Sequence, residues 1–255
     1  MSKKKAVSIE KRGNIAIVRF DRGERLNAFG PPLVQDLTDV AKSFQDDLET
    51  NVIVVTGTPD YFSSGADLKD SSYWDKERSA LERRHLIRNG GRLCDAWEEL
   101  PQVTIAAISG LAVGAGCAFS LACDWRIMDR DAYFYVPEVK LGLNLQWNTI
   151  PRLVSLVGPA RAKRIVLMCE KMYAPELFEW GIVDSVAETK GGALEAAMKW
   201  AEIVAAFDPL TVRMVKEAIT VTATALNRGL SFGDSDQAML GSLLNAELQA
   251  MPNRR

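Results

Sequence analysis

Polar and apolar positions divide the chain into short segments of contrasting period. Residues 6–22, AVSIEKRGNIAIVRFDR, read as two alternating strands around Arg12-Gly13-Asn14, which predicts a β-hairpin. PPLVQDLTDVAKSFQDDL (31–48) places apolar residues at helical spacing behind a Pro-Pro start. NVIVVTG (51–57) predicts a short buried strand, and TPDYFSSGADLKD (58–70) a polar, glycine-bearing loop. Residues 74–100 form a long, charged helical pattern, and VTIAAISG (103–110) a second buried strand. A Gly-Ala loop and a small-residue helix ending near Cys123 follow, then short strands at WRIMD and AYFYVPE. From Thr149 onward helical patterns dominate, with one strand at GIVDSVAE (181–188). Alternation of strand and helix implies an α/β core with mostly parallel pairing, and a helical last third that serves as an appendage or an oligomer surface.

Composition narrows the function classes. The 255 residues suffice for one large α/β domain or two small ones, and 47% hydrophobic with 25% charged is ordinary for a globular protein. With 31 Lys and Arg against 33 Asp and Glu, no basic excess points to nucleic acid. MSKKK has no apolar segment behind it and reads as a frayed terminus rather than a signal peptide, so a cytoplasmic location is expected. The cysteines, Cys94, Cys117, Cys123 and Cys169, form no CxxC pair and fit free buried thiols in a reducing compartment. The chain has one histidine, His85, set among charges in ALERRHLIRNG and read as a surface helical residue. A Ser-His-Asp triad would need it, and a His-rich metal site is impossible, so no metal is expected. GxSxG, HExxH and GxxxxGK[ST] are absent. Acid–base chemistry therefore falls to carboxylates.

SGLAVGAGCAFSLACD (109–124) admits three readings. The uncharged run 101–123 is long enough to span a membrane, but its first half is β-branched, its second half small, and Pro101, Gln102, Thr104 and Ser109 interrupt it. A buried strand feeding a buried helix explains it better, so no membrane is expected. GxxxGxG in SGLAVGAG suggests a dinucleotide loop, but a lone glycine pattern is weak, and none of the tyrosines has Lys four residues on. The third reading is an oxyanion hole. Small residues let a carbonyl approach the main chain, and a first-turn helix N–H points outward unsatisfied. The loop SSGADLK (63–69) has the same character, so each loop could present one N–H to a single oxygen.

These residues resemble the crotonase (enoyl-CoA hydratase/isomerase) superfamily. RLNAF (25–29), FSSGADLK (62–69), AAISGLAVGAGCAFSLACDWRIMDRDAYFYVPEVKLGL (106–143) and RLVSLVGPARAKRIVL (152–167) match its signature segments in order, over roughly residues 6 to 190. The resemblance implies an α/β spiral of ββα units over residues 1–190 with an acyl-CoA site. Residues 191–255 would form a C-terminal helical region that closes the site and builds homotrimers or hexamers. It implies a CoA thioester substrate, with coenzyme A as part of that substrate and no separate cofactor. Carried over by position, the oxyanion donors are the N–H groups of Ala66 and Ala115, the latter standing where many members have Gly. The Ala66-Asp67-Leu68-Lys69 backbone would lie along the adenine and pantetheine. Asp67 taken alone reads as a helix N-cap.

Two departures bear on the reaction. Family hydratases use two glutamates. The second matches Glu138 in VPEVKLG, which in isolation would read as a solvated helix start, but whose apolar surroundings imply a desolvated, raised-pKa carboxylate. The first is replaced by Ala118, and Ser120 lies about 200° further around a helix, a poor stand-in. The resemblance to single-glutamate members implies double-bond isomerisation or a specialised lyase over simple 2-enoyl-CoA hydration, with a weakly catalytic CoA-binding subunit as the other alternative. Where many members read Pro-Gly-x-Gly-Gly, this chain has NLQWNTIPRL (144–153). Trp147 would wall the acyl pocket or simply pack in the core, and Gln146 and Asn148 could orient a water or a polar acyl group. Glu98 and Glu99, just before the central strand, are expected on the surface.

Overall fold

The computed structural model describes residues 6–70, 77–225 and 233–241. The N-terminal hairpin forms as expected, β1 (Val7–Arg12) pairing antiparallel with β2 (Ile15–Phe20). Then β3 (Val52–Thr56), β4 (Val103–Ile108), β6 (Trp125–Asp129) and β9 (Ser185–Ala187) add in parallel, giving one sheet in the order β1-β2-β3-β4-β6-β9. Every residue of β3 and β4 is buried, because helices cover both faces of the sheet. One face packs on α1 (Pro31–Gln45), α2 (Ala80–Glu98) and α3 (Ala115–Leu121) through a core that includes Phe20, Phe29, Leu37, Trp97 and Phe119. The other face packs on α6 (Ala193–Ala205), whose Ala193, Ala197 and Ala201 lie against Ile17, Val54 and Ile105.

A second, three-stranded sheet was not evident in the chain's pattern. It consists of β5 (Leu111–Val113), β7 (Tyr133–Tyr135) and β8 (Lys171–Tyr173), in that order. Successive strand pairs β4/β5 and β6/β7 each send their first member to the large sheet and their second to the small one, and a helix follows. These are the ββα units of the spiral. The Gly-Ala run 109–124 is thus the turn after β4, the strand β5, the helix α3 and the residues that follow it, and no helix among the described residues is long and apolar enough to cross a membrane. Long α4 (Thr149–Met168) is broken at Gly158-Pro159, where Gly158 has φ 73°. Beyond it come α5 (Ala174–Glu179), α6, and α7 (Pro209–Thr224), and residues 234–241 are helical. The expected start of the second helix at residue 74 lies outside the described residues, which take it up at Ala80 behind a Ser79/Glu82 capping box.

Candidate active site

The site begins with two loops that pack on each other. After β3 the chain runs through Phe62-Ser63-Ser64-Gly65-Ala66, and RLNAF braces it from behind. Arg25, Leu26 and Asn27 take left-handed backbone, which turns the buried Asn27 inward to hold Phe20 O through Nδ2 at 2.9 Å while its own carbonyl accepts from Ser63 Oγ at 2.7 Å. Phe29 then bridges Ala66 in parallel: Phe29 N–H donates to Gly65 O and Asp67 N–H donates to Phe29 O. This pairing uses the amides on either side of Ala66 and leaves the Ala66 N–H turned the other way.

The second loop enters from β5. Val113 N–H donates to Ser63 O, locking the two loops side by side, and Gly114 N–H donates to Tyr135 O. Ala115 is therefore the first residue of α3, with no acceptor a turn before it. Neither the Ala66 N–H nor the Ala115 N–H has a partner among the described residues. The loops are close: a methyl placed on Gly65 would lie 3.8 Å from Ala115 N and 2.9 Å from Val113 O.

Both alanines line one cavity of about 190 Å³, together with Leu68, Ala118, Glu138, Asn144, Gln146 and Trp147. Glu138 opens a 3-10 turn (Glu138–Leu141) after Pro137. A Cβ at Gly114 would meet Glu138 Oε1, so a side chain there would displace the carboxylate, and with φ 47° the backbone itself demands glycine. Glu138 Oε2 is buried without a hydrogen-bond partner among the described residues. Burial pushes the carboxyl up to about 7, and the only opposing influence is a hydrogen bond from its own backbone. It is the one ionisable side chain in the lining among the described residues.

Most of the expected site residues therefore meet in this cavity: Ala66, Leu68, Ala115, Ala118, Glu138, Gln146 and Trp147. Asp67 and Lys69 flank Leu68 outside the lining. Asp67 is not the helix N-cap its residue type suggests. Its buried carboxylate accepts from Arg22 Nη1 at 3.0 Å and Arg25 Nη1 at 2.6 Å. Burial raises its pKa, but the hydrogen bonds from Arg22 and Arg25 outweigh it and hold the group below the usual carboxylate range. Ser120 is buried and donates to Cys117 O, away from the cavity. His85 is exposed on α2, with Nδ1 3.2 Å from Arg92 Nη1.

Two further expectations need correction. Asn148 does not face the acyl cavity. Its Nδ2 donates to Asp95 and its N–H to Asp234 Oδ2, because Trp147 and Asn148 form a left-handed pair that turns the Asn148 side chain toward α2. Glu98 is not a surface residue like the exposed Glu99. It is half-buried in a bidentate pair with Arg152, at 2.7 and 3.0 Å, and is not available to the cavity. Arg152 also donates to Trp147 O and Asn148 O, so Asp95, Glu98 and Arg152 together set the backbone that carries Trp147.

Trp147 is both wall and packing residue. Its ring meets Phe29 edge-on at 5.4 Å, and it occupies the space over Gly90 of α2, where any side chain would overlap the indole. The residue that the sequence did not single out is Asn144, whose Oδ1 is buried and unpartnered among the described residues. No local signal marks it, because the group that orients its amide is Asp234, far along the chain.

Comparison with known proteins agrees with this layout. The family model for enoyl-CoA hydratase/isomerase matches residues 10–250. The chain is 31% identical over 227 residues, covering 88% of it and 78% of the other, to a probable mitochondrial enoyl-CoA hydratase of Dictyostelium discoideum. It is 30% identical over 234 residues, 91% and 85% of the two chains, to a short-chain-enoyl-CoA hydratase of Clostridium acetobutylicum. A crystal structure of an enoyl-CoA hydratase from Bacillus anthracis superposes with a TM-score of 0.80 at 28% identity, covering 93% of this chain and 91% of that one. A match across nearly the whole chain, on a spiral of ββα units with two small-residue loops over one half-buried glutamate, leads to one assignment: this chain belongs to the enoyl-CoA hydratase/isomerase family of the crotonase superfamily.

Proposed function

We propose that the protein acts on an acyl-CoA thioester whose carbonyl oxygen accepts from the N–H groups of Ala66 and Ala115, with Glu138 moving a proton between carbons. In this reading the Glu138 carboxylate removes a proton from the α carbon of a 3-enoyl thioester. The electron pair flows to the thioester oxygen, where two fixed amide donors stabilise the dienolate. The protonated Glu138 then returns the proton at the γ carbon, giving the 2-enoyl product with nothing gained or lost. The observation that supports this best is the isolation of Glu138: it is the one ionisable side chain in the lining among the described residues, its buried Oε2 has no partner there, and Ala118 stands where family hydratases hold water with a second carboxylate. Double-bond isomerisation, or a lyase reaction through the same enolate, needs one base; activation of water is better served by two.

Simple hydration of a 2-enoyl thioester is the second reading, favoured by the names of the relatives from Dictyostelium discoideum and Clostridium acetobutylicum. One experiment separates the readings. With 3-enoyl-CoA and 2-enoyl-CoA in D2O, isomerisation appears as α-deuterium exchange and double-bond migration without a 3-hydroxyacyl product, and both are lost in Glu138→Gln. Accumulation of 3-hydroxyacyl-CoA at the faster rate would instead establish hydration. Tight CoA binding with no exchange on any thioester would leave a CoA-binding subunit.

A further inference from the structure

We propose that Asp67 is the positioning residue of the oxyanion hole: its carboxylate clamps the guanidinium groups of Arg22 and Arg25 onto one oxygen and so fixes the direction in which Ala66 presents its N–H. The inference rests on the acyl-CoA reading above and adds to it a side chain that acts through Ala66 rather than on the substrate.

Asp67 follows Ala66 directly, and its side chain is 3% exposed. Its Oδ2 accepts from two separate segments at once, from Arg22 Nη1 at 3.0 Å just after β2 and from Arg25 Nη1 at 2.6 Å in the left-handed turn Arg25–Asn27. Its Oδ1 accepts from the Lys69 N–H at 3.2 Å. Arg22 Nη1 also donates to Ala28 O. Ala28 leads into Phe29, which pairs with both neighbours of Ala66: Phe29 N–H donates to Gly65 O at 2.7 Å, and Asp67 N–H donates to Phe29 O at 3.0 Å. One carboxylate therefore closes a circuit that runs through Arg22 and the Ala28-Phe29 backbone and returns to the peptides flanking the Ala66 amide.

Two positive groups within hydrogen-bond reach of a single oxygen are held together by its negative charge. The exposed Glu24 meets Arg22 through Nη2 at 3.3 Å and does not take its place. Without the charge on Asp67 the two guanidinium groups repel, and the Phe29 backbone they brace is loosened from the Ala66 loop. An oxyanion donor acts within about 2.7–3.1 Å of the developing charge, and a displacement of about 1 Å costs about 100-fold in rate. The rest of the loop has other ties, Ser64 N–H to Leu26 O and Val113 N–H to Ser63 O, both unaffected by the charge. The consequence belongs to the rate of the chemical step more than to substrate binding.

The test is Asp67→Asn, which retains the shape and removes the charge. On the enoyl-CoA that wild type turns over fastest, kcat should fall about 10- to 100-fold with KM near its wild-type value. The second readout is the absorbance band of a 2,4-dienoyl-CoA bound to Glu138→Gln protein. Polarisation of the carbonyl by the two amides moves this band to longer wavelength, and its position does not depend on how much protein is folded. Adding Asp67→Asn should shrink the shift. A variant with a lower melting temperature but an unmoved band shows a merely structural Asp67 and overturns the proposal. A raised KM with kcat unchanged also overturns it, because the carboxylate would then serve CoA binding. If Asp67→Asn does not fold, Arg25→Gln decides, since that side chain is 42% exposed: a smaller band shift supports the clamp, and an unaltered one overturns it. Protein with intact Asp67 that neither turns over an enoyl-CoA nor shifts the dienoyl band overturns the acyl-CoA reading and this proposal with it. A band that shifts there and is unmoved by either substitution removes the role of Asp67 alone.

Discussion

Glu138 is a carboxylate whose environment has taken away the usual reasons to ionise. Its ordinary value of 4.5 is moved by burial to about 7, within reach of the acidity needed to take up and return a carbon-bound proton near neutral pH. The α-proton exchange rate should therefore rise with pH as the carboxylate forms and level off above about 7, read as kcat/KM against pH in buffered D2O. Folding stability should respond in the opposite sense. The folded chain holds this proton more tightly than the unfolded chain, so stability falls as pH rises from 4.5 to about 7 and the full penalty persists above that. Thermal denaturation should show Glu138→Gln melting above wild type at about pH 8, with the gap closing as pH falls through that window. Ala66, Ala115, Ala118 and Glu138 were picked out by resemblance, because each lies in a short segment that matches a family motif, and they meet in one cavity lining. Asn144 and Glu98 could not be placed that way. The partner that orients Asn144 is 90 residues away, and the partner that occupies Glu98 is 54 residues away.

The elements position these groups by where they begin. α3 starts at Ala115, so the unpartnered amide and the positive end of the helix coincide at the wall of the cavity. Proline is tolerated at the first helical position because that N–H has no intrahelical acceptor. Ala115→Pro should thus retain the fold, checked by circular dichroism and melting temperature, while removing one oxyanion donor and lowering kcat by about 100- to 1000-fold. A retained kcat would assign the oxygen to other donors. Helices and long strands were evident in their periodicity, but β5 and β8 were not. Each has three residues, too few to establish a period, and β5 exists because Leu111–Val113 align with Tyr133–Tyr135 in the small sheet. A run that reads as a Gly-Ala loop becomes a strand only when its pairing partner is in place.

At the scale of the molecule, the outer surface of the C-terminal helices remains to be explained. Ile203, Phe207, Leu210, Met214 and Ile219 on and between α6 and α7 are all exposed. So many large apolar groups on neighbouring elements mark an interaction face, and we expect it to be covered in a homotrimer or a hexamer. Light scattering coupled to size exclusion should give a mass of three or six chains, and Met214→Asp with Ile219→Asp should dissociate it; a monomeric wild type would contradict this. The chain's own pattern determined the α/β alternation, the hairpin and the two small-residue loops, because periodicity and glycine spacing are properties of neighbouring residues, while Glu138 and Ala118 were singled out by the resemblance of their segments to the family's. Only the folded molecule decided that Asp67 is tied to Arg22 and Arg25, that Asn148 turns from the cavity toward Asp95, that Asn144 is tied to Asp234, and that Gly90 makes room for Trp147. Those outcomes depend on which side chains meet across long stretches of chain, and a hydrogen bond or a close contact has no signature until both partners are brought together.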